Sequence, residues 1–207
     1  MYEASAAILA GGTSSRMGSP KALLLVDGRP LVSYVAGRLA GLFPEVFIAG
    51  GGPDVFAVGG GEAIAEAAGL RVVPDRDPGL GPLMGIASAL EAARFDLVFV
   101  VACDMPELDA GLVELLHHAA AERGPNGEPA DCVVPRTGKG RLEPLFAFYR
   151  KSALPEIEAA LAGGERSVRA VFPRLRARFV DAPMPDGIPN LNTPEDYARW
   201  ASRPRMR

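Results

Sequence analysis

Few folds accommodate a chain in which short apolar runs alternate with helix-patterned segments from end to end. Strand-like runs fall at residues 6–10, 45–49, 70–73, 96–101, 131–134 and 144–149, with a late one at 176–180. Helical patterns lie at 30–42, 62–68, 83–93, 109–122, 152–162 and 194–201. Parallel strands need a long crossover, usually a helix, so this order predicts βαβ units around a mainly parallel sheet. Pro30 suits a first helical turn. Thr193 suits a cap, with Pro194 at the first helical position and Asp196 three residues on. Residues 123–129, RGPNGEP, form the segment richest in breakers and read as a connection, because strand-like residues resume at 131. No internal repeat is visible.

The first apolar run opens into Gly11-Gly12-Thr13-Ser14-Ser15-Arg16-Met17-Gly18-Ser19-Pro20-Lys21. Glycines let the backbone approach a ligand closely, and successive N–H groups in such a turn form an anion-binding concavity. Arg16 adds a planar fork of donors and Lys21 a mobile point charge. The spacing excludes a Walker loop, since five residues separate Gly12 from Gly18 and Ser19-Pro20 precede Lys21. It also excludes the dinucleotide fingerprint, because Thr13 stands two residues after Gly11.

At 207 residues the chain can bury one substantial core, which favours a single domain. A net charge of −3 gives no support to nucleic-acid or membrane binding. No apolar run approaches a membrane span. No basic leader precedes the first apolar run, and Cys103 and Cys132 do not make a disulfide framework, so a reduced cytoplasmic protein is expected.

In open parallel sheets, ligands bind beyond the carboxyl ends of the strands. That rule draws together Gly11, Gly50, Asp75 and Asp104, each just past a strand-like run. For Asp104, position alone leaves a Mg²⁺ ligand and a cap for the next helix about even. Asp75 lies in Val73-Pro74-Asp75-Arg76-Asp77-Pro78-Gly79, where it either serves the site or belongs to a plain surface loop. His117 and His118 have no partners at metal spacing and read as structural or exposed. No Ser–His–Asp or Cys–His constellation is present.

LAGGTSSRMGSPKALL, from Leu9 to Leu24, resembles the signature of the molybdenum cofactor guanylyltransferase family, within the nucleotide-diphospho-sugar transferase-like superfamily. Further matching segments follow in order: GPLMGIASAL from Gly81, CDMP from Cys103, EPLFAFY from Glu143 and NLNTPEDYARW from Asn190. The resemblance implies a Rossmann-like three-layer α/β sandwich of nucleotide-diphospho-sugar transferase type with a mainly parallel central sheet. It also implies one nucleotidyltransferase domain over 1–207, its nucleotide-binding half at about 1–106 and its acceptor-binding half at about 107–207. Leu9, Ala10, Gly11, Gly12, Lys21, Asp75 and Asp104 are then expected at GTP. Asp104 is expected to bind Mg²⁺, and Lys21, Arg16 and Asp104 to carry catalysis. Lys139, Arg141, Asn190 and Asn192 are expected at the acceptor.

The implied reaction transfers GMP from GTP to molybdenum-molybdopterin, releasing pyrophosphate, with transient contacts to other molybdenum cofactor proteins. Two alternatives stay open. One is a sister transferase, either a CTP-dependent molybdopterin cytidylyltransferase or a sugar-phosphate nucleotidyltransferase. The other is a non-catalytic nucleotide-binding protein. The cytidylyl form typically reads LAAG and DQP where this chain has LAGG and CDMP, which favours GTP. Against that, Ala49-Gly50-Gly51-Gly52 replaces the turn in which the guanylyltransferases commonly carry an Asn associated with guanine recognition.

Overall fold

The computed structural model describes residues 1–10, 22, 24–26, 28–50 and 69–202, with Lys139 through its backbone. The loop from Gly11 to Lys21, which holds Gly12 and Arg16, the pair Gly51-Gly52 and the helix expected at 62–68 lie outside the described residues.

Three strands carry near-continuous apolar runs, as largely covered strands require: β1 (Ser5–Leu9), β4 (Glu45–Ala49) and β6 (Leu97–Ala102); the short β5 (Arg71–Val73) lies at the edge, with Arg71 exposed. They run parallel, with β1 between β4 and β6. Beyond β6 come β9 (Phe146–Arg150), β7 (Cys132–Thr137) and β10 (Ala177–Asp181), with the two-residue β8 (Arg141–Leu142) paired to β7. The order is β10-β7-β9-β6-β1-β4-β5. β9 runs antiparallel to both neighbours, whereas β10 is parallel to β7. The link from β7 through β8 to β9 is too short for a crossover, so β9 must return antiparallel. Pro135 is tolerated inside β7 because the ladder to β9 ends at Val133. The sheet is therefore mixed but mainly parallel.

Alternate residues on each strand feed two separate cores. One face, with Ile8, Ile48, Phe99, Val101, Phe146 and Phe148, packs on α1 (Leu31–Ala40) and α3 (Ala110–Ala121). The other, with Leu9, Phe47, Val100, Val134 and Tyr149, packs on α2 (Pro82–Ala92), α4 (Leu154–Ala162) and the short α5 (Val168–Val171). The expected three-layer sandwich is what forms. Pro30 sits at the N-cap of α1, one residue before the helix, rather than inside its first turn.

A third, smaller cluster joins the chain's two ends. The hairpin of β2 (Leu25–Val26) and β3 (Arg29–Pro30) meets α6 (Pro194–Ala201) through Val26, Leu31, Leu191 and Trp200. The start of α6 is the expected one. Thr193 Oγ1 accepts from the Asp196 N–H, and the Asp196 carboxylate accepts from the Thr193 N–H, each at 3.1 Å.

At the amino edge of the sheet, the buried Asp131 is a structural clasp. It accepts from Ser152 Oγ at 2.5 Å, from Arg176 Nη2 at 2.5 Å and Nε at 3.0 Å, and from the Arg176 N–H at 2.9 Å. Burial opposes its charge, but the hydrogen bonds from Arg176 and Ser152 outweigh burial and hold the carboxyl below its ordinary range. A carboxylate depressed in this way stabilises the fold above its unfolded pKa of about 4, and that stability is lost as pH falls through the folded value. Asp131→Asn is thus expected to cost about 2 kcal/mol near pH 7, with the difference from wild type shrinking below about pH 4. Denaturant melts at the two pH values check it, and a pH-independent difference would contradict the clasp.

Candidate active site

Hydrogen bonds stitch the carboxyl edge together at the strand ends. The Ala10 N–H donates to the Ala49 carbonyl at 3.1 Å, and the Gly50 N–H to the Val73 carbonyl at 3.1 Å. The Cys103 N–H donates to Leu9 at 3.0 Å, and the Ala102 N–H to Leu145 at 2.9 Å. The ends of β5, β4, β1, β6 and the approach to β9 therefore form one rim. The strand order reverses at β1, with β4 on one side and β6 on the other, and such a switch point is where open α/β sheets bind ligands. Leu9 and Ala10 are buried there.

Asp104 turns off the end of β6, half-buried, on this rim. The helix that follows is capped by Asp109, whose carboxylate accepts from the Leu112 N–H at 2.8 Å. Of the two readings of Asp104, the helix cap is thereby removed. Asp75 stands past the end of β5, and its carboxylate accepts from Ser88 Oγ of α2 at 3.2 Å. Next to it, Arg76 pairs outward with Glu91 at 3.2 Å and Glu158 at 3.0 Å.

The second half of the chain reaches the same rim at two places. The turn Gly138–Gly140, which contains Lys139, leads from β7 into β8, where Arg141 pairs with Thr137. Asn190 and Asn192 bracket the buried Leu191, whose N–H donates to the Asp104 carbonyl at 2.8 Å. Asn192 Nδ2 donates to Asn190 Oδ1 at 2.6 Å. The structure thus brings Leu9, Ala10, Asp104, Asn190 and Asn192 together around the ends of β1 and β6. Asp75 stands two strands away, beyond β4, and Arg141 on the far side of β9. His117 packs its ring on Tyr2 at 4.5 Å, where burial and then His118 lower its pKa. Among the described residues, no group of three or more His, Cys, Asp and Glu side chains could hold a metal ion.

Residues 6–179 match the model of the MobA-like NTP transferase domain. The chain belongs to this family. It is 38% identical over 206 residues to a protein of Pelotomaculum thermopropionicum named "Probable molybdenum cofactor guanylyltransferase", covering 96% of this chain and 92% of that one. It is 38% identical over 199 residues to the molybdenum cofactor guanylyltransferase of Burkholderia vietnamiensis, covering 95% and 94%. The solved structure of molybdopterin-guanine dinucleotide biosynthesis protein A from Archaeoglobus fulgidus superposes with a TM-score of 0.72 over 94% of this chain and 95% of that one. At 24% identity, that likeness concerns the fold.

Within this MobA-like transferase, three residues at the rim escape a reading of the sequence alone. Leu191 reads as a spacer between asparagines, yet it anchors them. Ser88 reads as one more small residue on an apolar helix, yet it is buried and holds Asp75. Glu143 reads as the start of a strand motif, yet its carboxylate is buried against Arg141. A charged residue two positions from an arginine beside a strand was the available signal, since such residues share a face. None of the described helices is long and apolar enough to cross a membrane.

Proposed function

We propose that this protein transfers GMP from GTP to the terminal phosphate of molybdenum-molybdopterin, forming the guanine dinucleotide form of the cofactor and pyrophosphate. The observation that carries the reading is the bond from the Leu191 N–H to the Asp104 carbonyl, which seats the Asn190–Asn192 turn directly on the Asp104 turn. Two substrates held on those two turns lie side by side, as a direct transfer between phosphates requires. The names of the relatives supply the identity of the substrates.

On this reading, residues to about 106 build the nucleotide side and later residues the acceptor side. The acceptor's phosphate oxygen attacks the α-phosphorus of GTP, a new P–O bond forms, and the bond to the β-phosphate oxygen breaks in line to release pyrophosphate. The nucleophile is already an anion, so the protein needs neither a general base nor a nucleophile of its own. Its task is positioning and charge neutralisation. N–H groups of Gly11 and Gly12 cradle the phosphates, Lys21 and Arg16 meet the outer ones, and Asp75 serves the nucleoside side.

Asp104 is a half-buried carboxylate on the rim, and it fits Mg²⁺, which takes one or two carboxylates and fills its shell with phosphate oxygens and waters. Bound there, the ion would neutralise charge building on the phosphates. Lys139, Arg141, Asn190 and Asn192 hold the acceptor. Gly50 takes the place of the usual asparagine, and its N–H is committed to Val73.

Pyrophosphate release is the decisive measurement, made with molybdenum-molybdopterin and Mg²⁺ across GTP, CTP, ATP and UTP. GTP is expected to support turnover at least about a hundredfold above the others, since hydrogen-bonded sites reject mismatched partners by that factor or more. Preference for CTP would make the protein a cytidylyltransferase, and no release with any nucleotide would make it a binding protein.

A further inference from the structure

Arg141 and Glu143 form a pair whose members are placed unequally. Arg141 Nε donates to Glu143 Oε1 at 2.5 Å, with the carboxylate side chain 8% exposed and the guanidinium side chain 52% exposed. The anchor is inside and the fork outside. The Glu143 N–H donates to the Pro135 carbonyl at 3.1 Å, and two residues on, the Leu145 carbonyl receives the Ala102 N–H. The anchor is therefore fixed to β7 and stands beside the end of β6, on the rim that carries Asp104.

The other clasp of this type shows what is different here. Asp131 and Glu128 together engage Nε, Nη1 and Nη2 of Arg176, leaving a purely structural knot at the opposite edge. Glu143 takes only Nε of Arg141. Among the described residues, no protein acceptor meets the Nη1–Nη2 edge of Arg141. That edge presents two parallel N–H groups, the geometry that binds a phosphate oxyanion bidentately.

The neighbouring loop is shaped around the same guanidinium. Gly187 has φ +88°, and a Cβ there would lie 2.9 Å from Arg141 Nη2 and 3.5 Å from Cζ. The loop is fastened in place, because the Met184 carbonyl accepts from both the Gly187 N–H at 3.1 Å and the Gly138 N–H at 3.2 Å. A Cβ on Gly138 would lie 1.9 Å from the Pro185 carbonyl oxygen, so the two backbones touch. A larger residue at 187 would push the guanidinium aside.

The geometry points to Glu143 as a positioning residue that aims Arg141 at a phosphate oxyanion of the acceptor, with Gly187 keeping the space open. This rests on the acceptor reading above. Both residues stand on the acceptor side of that reading, so their effect is expected on one substrate alone.

The test measures KM for molybdenum-molybdopterin and kcat at saturating GTP and Mg²⁺, with the GTP dissociation constant from calorimetry without acceptor. Wild type is compared with Arg141→Ala, Glu143→Gln and the double variant. Each single change is expected to raise the acceptor KM by about tenfold or more, the loss of one charge-assisted contact, while kcat and GTP affinity stay within about threefold. The double variant is expected to be no worse than the worse single, because both remove the same contact. Gly187→Ala, which leaves the carboxylate intact, is expected to raise the same KM. Losses in Glu143→Gln and Arg141→Ala that multiply, or an unmoved KM in Glu143→Gln and Gly187→Ala, overturn the inference. A wild type that binds GTP but releases no pyrophosphate with this acceptor overturns the acceptor reading itself, which separates the two failures.

Discussion

Asp104→Asn is expected to lower turnover by about 10²-fold or more and to abolish its normal dependence on Mg²⁺, the scale set by losing one preorganised electrostatic element. The substitution changes one oxygen to an amide nitrogen and hardly alters volume. The helix after it keeps its cap, because Asp109 makes that bond. The link to the Asn190–Asn192 turn is also kept, since it uses the Asp104 backbone carbonyl and not the side chain. A folded protein with both turns in place and its turnover lost is therefore the expected phenotype. Rates measured against Mg²⁺ concentration, with a thermal melt as the control, decide it. Near wild-type kcat with an ordinary metal dependence would remove Asp104 from the metal's shell. A large drop in melting temperature would mean that the carboxylate serves the fold.

The parts of this fold that could be read from sequence are those governed by burial and by local capping. β4 covers the expected residues 45–49 because its run from Val46 to Ala49 is apolar, as burial between two layers requires, and Glu45 opens it at the partly exposed end. α6 begins where Thr193, Pro194 and Asp196 say it must. Other boundaries moved for local reasons. The helix expected from 152 begins as a 3-10 turn, Lys151–Ala153, and becomes α-helical at Leu154, with Pro155 in its first turn. The strand expected from 144 starts at Phe146, since the Pro144 carbonyl is occupied by the Tyr149 hydroxyl at 2.9 Å.

What stayed hidden depends on contacts between distant residues. β2, β3 and β8 have two residues each, too few for any periodicity to register. The direction of β9 is set by a hairpin connection rather than by composition. At the site, the Leu191 N–H on the Asp104 carbonyl sets the Asn190–Asn192 turn beside the Asp104 turn. No pattern could show that Leu191 joins them, because a lone leucine between asparagines carries no spacing signal.

Trp200→Ala is expected to open that junction without unfolding the sheet. Trp200 is buried and is the largest member of the small cluster with Val26, Leu31 and Leu191, and its ring packs edge-on against Tyr34 at 5.4 Å. Removing a buried tryptophan costs about 3–5 kcal/mol. α6 is eight residues long, too short to persist without its apolar anchor, and the Tyr197 hydroxyl on the Leu25 carbonyl is an exposed attachment. The loss therefore falls on a local unit, while the aromatic core around Phe99 is untouched. Hydrogen exchange at the Leu191, Tyr197 and Ser202 amides is expected to accelerate by about 10²-fold or more, at 1.4 kcal/mol for each factor of ten. The Ala102 and Cys103 amides, bonded across the sheet ends, should keep wild-type rates. Because Asn190 and Asn192 are held in place by Leu191, acceptor-dependent turnover is expected to fall along with the local protection. Uniform acceleration across the sheet would make Trp200 part of the global core instead, and unchanged exchange at Leu191 would show that the Asp104 contact stands without the cluster beneath it.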